Sequence, residues 1–178
     1  MDYLLEMATT PRHNHLVSSF FADVYDLFKM KKVYPLQEQC ALVYWGKKHS
    51  GDEKLVKLDE IEDVELFRNE VIEELDFVQP DFMLFKQNKF VQNRNTLRTA
   101  GVPDLVIEVW SKRNTQLEKD LKERIYSSSN ACEWWTLNQN DNQVRCRVGK
   151  EKRPDQTLKG VLKACNTGLE FDLRHLAV

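Results

Sequence analysis

No stretch of this chain approaches the roughly 20 consecutive apolar residues that a membrane-spanning helix needs, so none of it reads as a transmembrane segment. The opening Met-Asp-Tyr-Leu-Leu-Glu-Met lacks the basic start of a secretory signal, and a cytoplasmic location is expected. Cysteine is scarce. Cys40, Cys132, Cys146 and Cys165 are scattered without a Cys-x-x-Cys pair, which gives no support to a zinc site of the usual spacing and suggests buried or half-buried thiols in a reducing compartment. Positive charge is not in excess either: 26 Lys and Arg stand against 28 Asp and Glu, a formal net charge of −2. That balance argues against a protein that coats nucleic acid by charge alone. It is compatible with carboxylates gathered around a divalent cation, which offsets them when bound. There is no internal repeat, low-complexity tract or Pro/Gly/Ser-rich linker, so the 178 residues are read as one α/β domain, 1–178.

The first clear element is a helix over residues 11–31. Thr10 is placed to cap it, Pro11 stands at the first helical position, and Leu16, Val17, Phe20, Phe21, Val24, Leu27 and Phe28 form its apolar stripe. Short strands rich in β-branched and aromatic residues follow at 33–38, 40–45 and 54–58, while the acidic segment 60–75 reads equally as helix or irregular chain. A strand over 77–85 leads into a polar stretch, 86–100, that reads as a loop. The run 105–110 is nearly all apolar, as in a strand buried on both faces. A helix over 116–128 begins at Thr115 with Glu118 three residues on, the form of a capping box. Strands at 133–137 and 144–148 flank the turn-forming cluster 138–142 as a hairpin, and 169–173 adds a last strand or turn. The architecture expected is a mixed sheet flanked by helices.

Within the apolar run sits Glu108. An uncompensated carboxylate there costs several kcal/mol, about what burial of an unpaired charge entails, so a cation or a basic side chain must answer it. Asp104 lies four residues earlier and on a strand points to the same face. Asp81 follows Pro80 in an earlier strand, as Asp104 follows Pro103; an Asp after Pro is also a common turn cap. Two strand-borne acids on neighbouring strands suit magnesium or manganese, which take oxygen ligands. On the following helix Glu118, Lys122 and Tyr126 recur every four residues beside the apolar Leu117, Leu121 and Ile125. A Glu-to-Lys pair at this spacing is ordinarily a solvated ion pair, but a lysine beside two metal-bound carboxylates can stabilise charge on a phosphate.

Four segments, Gln79-Pro-Asp81, Gly101-Val-Pro-Asp-Leu-Val-Ile-Glu-Val-Trp-Ser111, Lys122-Glu-Arg-Ile-Tyr126 and Asn130-Ala-Cys-Glu-Trp-Trp135, together resemble the Uma family of restriction endonucleases, within the PD-(D/E)XK superfamily. Their order and intervals fit from about residue 79 to 148, and the Pro11-Arg-His13-Asn opening is similar to the family's N-terminal region. The chain departs from the family pattern at Glu118, Asn130-Ala131 and Asn138. The resemblance implies a restriction-endonuclease-like fold and a Mg- or Mn-dependent endonuclease acting on nucleic acid, DNA above all. It also implies Asp81, Glu108 and the Val109 carbonyl as metal ligands, Lys122 as the catalytic lysine in place of position 110, and Asp104, Ser111 and Tyr126 in support. A homodimer is the expected assembly for cutting two strands; a catalytically silent module that binds nucleic acid or a protein partner is the competing reading. His13 and His15 read as surface or capping histidines, one of Trp134 and Trp135 as core and the other as rim, and Arg94 and Arg98 as solvated loop cations or phosphate contacts.

Overall fold

The computed structural model describes residues 11–30, 32–37, 40–70, 72, 75–138, 142–172 and 174. Thr10 as a helix cap, Glu38, Leu173 and most of the 138–142 turn lie outside the described residues. In chain order the elements are α1 (Pro11–Lys29), β1 (Val33–Gln37), β2 (Ala41–Trp45), β3 (Lys54–Leu55), α2 (Val64–Asn69), β4 (Leu75–Val78), β5 (Phe82–Lys86), β6 (Phe90–Gln92) and β7 (Arg98–Gly101). They continue as β8 (Leu105–Trp110), α3 (Gln116–Ser127), β9 (Glu133–Asn138), β10 (Gln143–Val148), β11 (Glu151–Lys152), β12 (Gln156–Thr157), β13 (Val161–Lys163) and β14 (Glu170–Asp172).

A main sheet runs β1-β5-β8-β9-β10-β11, with β12 also on β10. Only β8 and β9 among these neighbours are parallel, and the α3 crossover joins them. On one face the α1 stripe of Leu16, Val17, Phe20 and Val24 packs on Phe82, Ile107, Val109 and Trp135, with Phe171 from β14 closing the layer. On the other face Leu121, Ile125 and Tyr126 of α3 meet Met83, Val106 and Trp134. A second sheet, β3-β2-β7-β6 with β4 on β2, adds Leu42, Tyr44 and Val78 to that same core. The near-continuous apolar character of β8 follows: α1 covers its odd residues and α3 its even ones.

Four expectations are corrected. The strand over 77–85 is two strands, because the chain changes sheet between them: β4 pairs with β2, and β5 with β1 and β8. Pro80, at the crossing, has no N–H to give either ladder. The polar stretch 86–100 is not all loop. It folds as the β6–β7 hairpin, held by β7 pairing parallel to β2. Both Trp134 and Trp135 are buried, since α3 covers one face of β9 and β14 the other, and Cys165 is exposed. The described part of segment 60–75 contains the short α2, with Asp63 accepting from the Leu66 N–H.

The turn into β8 needs a glycine. Gly101 has φ +134°, and a Cβ there would stand 2.3 Å from the Lys89 carbonyl oxygen, so β7 can pass close to β6 only without a side chain. The start of α3 is set by Thr115, whose side chain accepts the Glu118 N–H at 3.2 Å. Thr115→Ala is expected to cost about 1 kcal/mol, seen as a lower urea midpoint at unchanged slope. Two contacts moor α3 from the second sheet's side. Arg124 grips the buried Glu53 through Nε and Nη2 at 3.0 and 3.2 Å, and the Leu55 N–H donates to Ser128 Oγ at 2.9 Å. Hydrogen bonding from Arg124, outweighing burial, lowers the Glu53 pKa to about 2.

Candidate active site

The register of the main sheet assembles a row of four residues. Glu108 is paired with Thr136 on β9, and Thr136 with Arg145 on β10. On the other side, Phe82 pairs with Ile107, so one step beyond that ladder Asp81 lies opposite Glu108. Pro80 lies outside β5. The Val109 N–H is taken instead by the Asp81 carboxylate, which accepts it through Oδ2 at 2.6 Å. The sheet-changing proline thus leaves a strand edge that the Asp81 side chain fills.

Glu108 faces α3. Its side chain is 1% exposed, and both oxygens are bound from that helix: Lys122 Nζ donates to Oε2 at 2.8 Å and Tyr126 Oη to Oε1 at 2.6 Å. Residues 122 and 126 reach the same carboxylate because a four-residue step keeps them on one helical stripe. The ammonium of Lys122 also donates to the Gln79 carbonyl at 2.9 Å and lies 3.9 Å from Glu118 Oε1. Glu118 itself is drawn toward Asn114 Nδ2 at 3.4 Å.

Electrostatics divide the pair unequally. Burial raises the Glu108 pKa to about 7; Lys122 works against this, Asp81 adds to it, and the hydrogen bonds from Lys122 and Tyr126 hold it down. For Lys122 burial works to lower the pKa, but Glu108, Asp81 and Glu118 together outweigh it and raise it. Burial and the nearby Glu108 push the Tyr126 phenol well up, so it remains a donor. Around neutral pH the site therefore holds a charged lysine beside a carboxyl that is partly protonated. Tyr126→Phe, which leaves Oε1 unsatisfied, is expected to cost about 1–2 kcal/mol at pH 8 and less at pH 5, read from urea denaturation at both pH values.

Of the residues singled out in the sequence, the structure brings Asp81, Glu108, Lys122, Tyr126 and the Val109 backbone together. Asp104 stands elsewhere. It is four residues from Glu108, roughly 13 Å along a strand, where its buried carboxylate accepts from the Lys86 N–H at 2.7 Å and Lys89 Nζ at 2.6 Å. Ser111 serves the turn into α3: its N–H and Oγ both donate to Asn114 Oδ1, at 2.8 and 3.2 Å. At position 110 the half-buried Trp110 carries Lys119 Nζ 5.1 Å from its ring centroid. Arg94 pairs with Glu65 at 3.3 Å and Arg98 stacks on Phe77, so neither lies at the site.

His13, expected from the sequence to be a surface or capping histidine, is instead buried. It is 7% exposed and its Nε2 lies 3.4 Å from Asp81 Oδ1, so α1 contributes to the acid end of the row. Its helical phase was the available signal, because positions 13, 16, 17, 20 and 24 form one stripe, all of it buried.

The donors present, two adjacent carboxylates and an imidazole, are of the type that hard and borderline divalent cations take. Among the described residues no three His, Cys, Asp or Glu side chains converge as a ready-made ligand cluster. No described helix is long and apolar enough to cross a membrane.

Comparison with known proteins places this geometry in context. A family model, Uma2, described as "Putative restriction endonuclease", matches residues 61–161. No curated protein matches the chain. Among solved structures, one described as a putative nuclease belonging to DUF820, from Anabaena variabilis, aligns with a TM-score of 0.55 at 11% identity over 96% of this chain and 84% of that one. At that identity the likeness speaks to the fold alone.

Proposed function

This chain belongs to the Uma2 family, and on that premise we propose that it is a metal-dependent endonuclease hydrolysing phosphodiester bonds of nucleic acid, DNA above all, in one nuclease-like domain spanning residues 1–178. The nuclease class rests on the family and the fold; the observation that carries the site is the buried Glu108 carboxyl, joined to Lys122 and Tyr126 and set opposite Asp81. Asp81, Glu108 and the Val109 carbonyl would hold magnesium or manganese. When bound, such an ion lowers the pKa of a coordinated water and polarises a phosphoryl oxygen. Asp81 is oriented for this by the Val109 N–H and Glu108 by the Tyr126 hydroxyl. Lys122, charged and held between Glu108 and the Gln79 carbonyl, supplies positive charge for the negative charge that develops on the phosphate during attack. The setting is cytoplasmic, and a homodimer would present two such sites to a duplex.

The test is cleavage of plasmid and single-stranded DNA with magnesium or manganese, beside calorimetric titration of the cation. Cleavage dependent on the cation is expected. Cation binding without cleavage would keep the site and leave the substrate to be found. The absence of both would favour the competing reading, a silent nuclease-fold module binding nucleic acid or a protein. One observation favours that reading: both oxygens of Glu108 already have partners from α3.

A further inference from the structure

Arg145 ends the row that begins at Asp81. In-register residues of adjacent strands share a face, and the contacts here settle which face it is. Trp134 of β9 packs on Tyr126 of α3, and Arg147 of β10 lies over Trp134 and 3.7 Å from Glu123 of α3. Arg145, two residues before Arg147, therefore points to the α3 face, as Glu108 does. Two strand spacings put it roughly 10 Å from Glu108, with the short Thr136 between them.

Of the other arginines between β10 and the residue after β11, both are engaged, whereas Lys150 and Lys152 are exposed. Arg147 is stacked and paired as described, and Arg153 lies 3.2 Å from Glu151. Arg145 is exposed and makes no hydrogen bond or ion pair among the described residues. An unneutralised guanidinium fixed on a strand, in line with a buried carboxylate site, is a ready fork for phosphate oxygens. At the far end of the row from Asp81, it stands where the next part of a bound strand would pass.

We propose that Arg145, at the exposed end of the row whose inner members Glu108 and Thr136 are buried, binds a backbone phosphate neighbouring the scissile one. This rests on the nuclease reading above. The substrate it implies is a strand of several nucleotides, held by its phosphodiester backbone and not by one terminal phosphate.

The experiment measures fluorescence anisotropy of a labelled 20-nucleotide single strand, a 20-base-pair duplex and a labelled nucleoside monophosphate, over a range of salt, with calcium replacing magnesium to limit turnover. Arg145→Ala is expected to weaken binding of the strand or duplex about 5–10-fold near 100 mM salt and to reduce the slope of log K against log salt by roughly 1. Arg145→Lys should keep the slope and lose part of the affinity. Lys159→Ala, removing an exposed cation on the β12–β13 turn, should change neither, and the monophosphate should be indifferent to Arg145. If Arg145→Ala binds a strand as the wild type does, with the same slope, the proposal is overturned and the nuclease reading stands. An equal loss for the monophosphate would also overturn it, by moving Arg145 to the reacting phosphate. A wild type that binds neither strand nor duplex would sink both.

Discussion

Glu108→Gln is expected to lower metal-dependent cleavage by at least ~10³-fold, about 4 kcal/mol of transition-state stabilisation, while leaving a folded protein. The amide keeps the shape of the carboxyl: its oxygen can accept from Lys122 Nζ, and its NH2 can donate to Tyr126 Oη once that hydroxyl turns from donor to acceptor, but the charge that a cation requires is gone. Because the Glu108 pKa is raised to about 7, the neutral side chain is close to a state that the wild type already populates, and the folding penalty near neutral pH is small. Glu108→Ala should be equally inactive and far less stable. It removes the partner of Lys122, whose side chain is 9% exposed, a loss of about 3–5 kcal/mol for a buried pair broken on one side. Parallel cleavage assays and urea denaturation separate the two effects. A glutamine variant that cleaves within tenfold of the wild type would remove Glu108 from the chemistry, however stable it proved.

The second large effect is a stability that depends on pH in a direction opposite to that of most carboxylates. The folded pKa of Glu108 lies above its ordinary value of 4.5, at about 7, chiefly because burial penalises the charge. Its favourable contribution is therefore complete below about pH 4.5 and is lost as pH rises through 7, a decline of roughly 3 kcal/mol by linkage. Lys122, whose pKa is raised by its carboxylate neighbours, stays charged throughout this window and limits the decline. Lys122→Met removes that limit. Near pH 5, where Glu108 is neutral, the variant should match the wild type within about 1 kcal/mol; near pH 9 it should fall short by about 3–5 kcal/mol, since an unpaired carboxylate is then buried. Urea midpoints across pH 5–9 measure the divergence. Parallel curves would show that Glu108 does not titrate in this range. The same protonation bears on cofactor binding: cation affinity should rise through neutral pH with release of a proton, detectable by calorimetry in buffers of different ionisation enthalpy.

Local sequence settles the elements whose residues carry their own reasons. The α1 stripe, the apolar run of β8 and the Thr115 cap of α3 are local patterns, and each element lies within a residue or two of its expected bounds. The four-residue step from Lys122 to Tyr126 made a shared partner foreseeable, and the buried acid at 108 named it. What the sequence left open depends on pairing between distant segments. The division of 77–85 between two sheets and the β6–β7 hairpin inside a polar stretch exist because β2 offers edges to β4 and β7, and no local pattern records that. Asp104 and Glu108 share a strand's alternation, yet Lys89, brought close by that hairpin, holds Asp104 at the other end of β8. His13 and Arg145 join the site region only through tertiary geometry, the first by the packing of α1 against the strand edge at Asp81, the second by register across β8, β9 and β10. Periodicity says which face of an element is buried; which residues meet there is decided by sheet order and register, and those are settled by burial and hydrogen bonding over the whole chain.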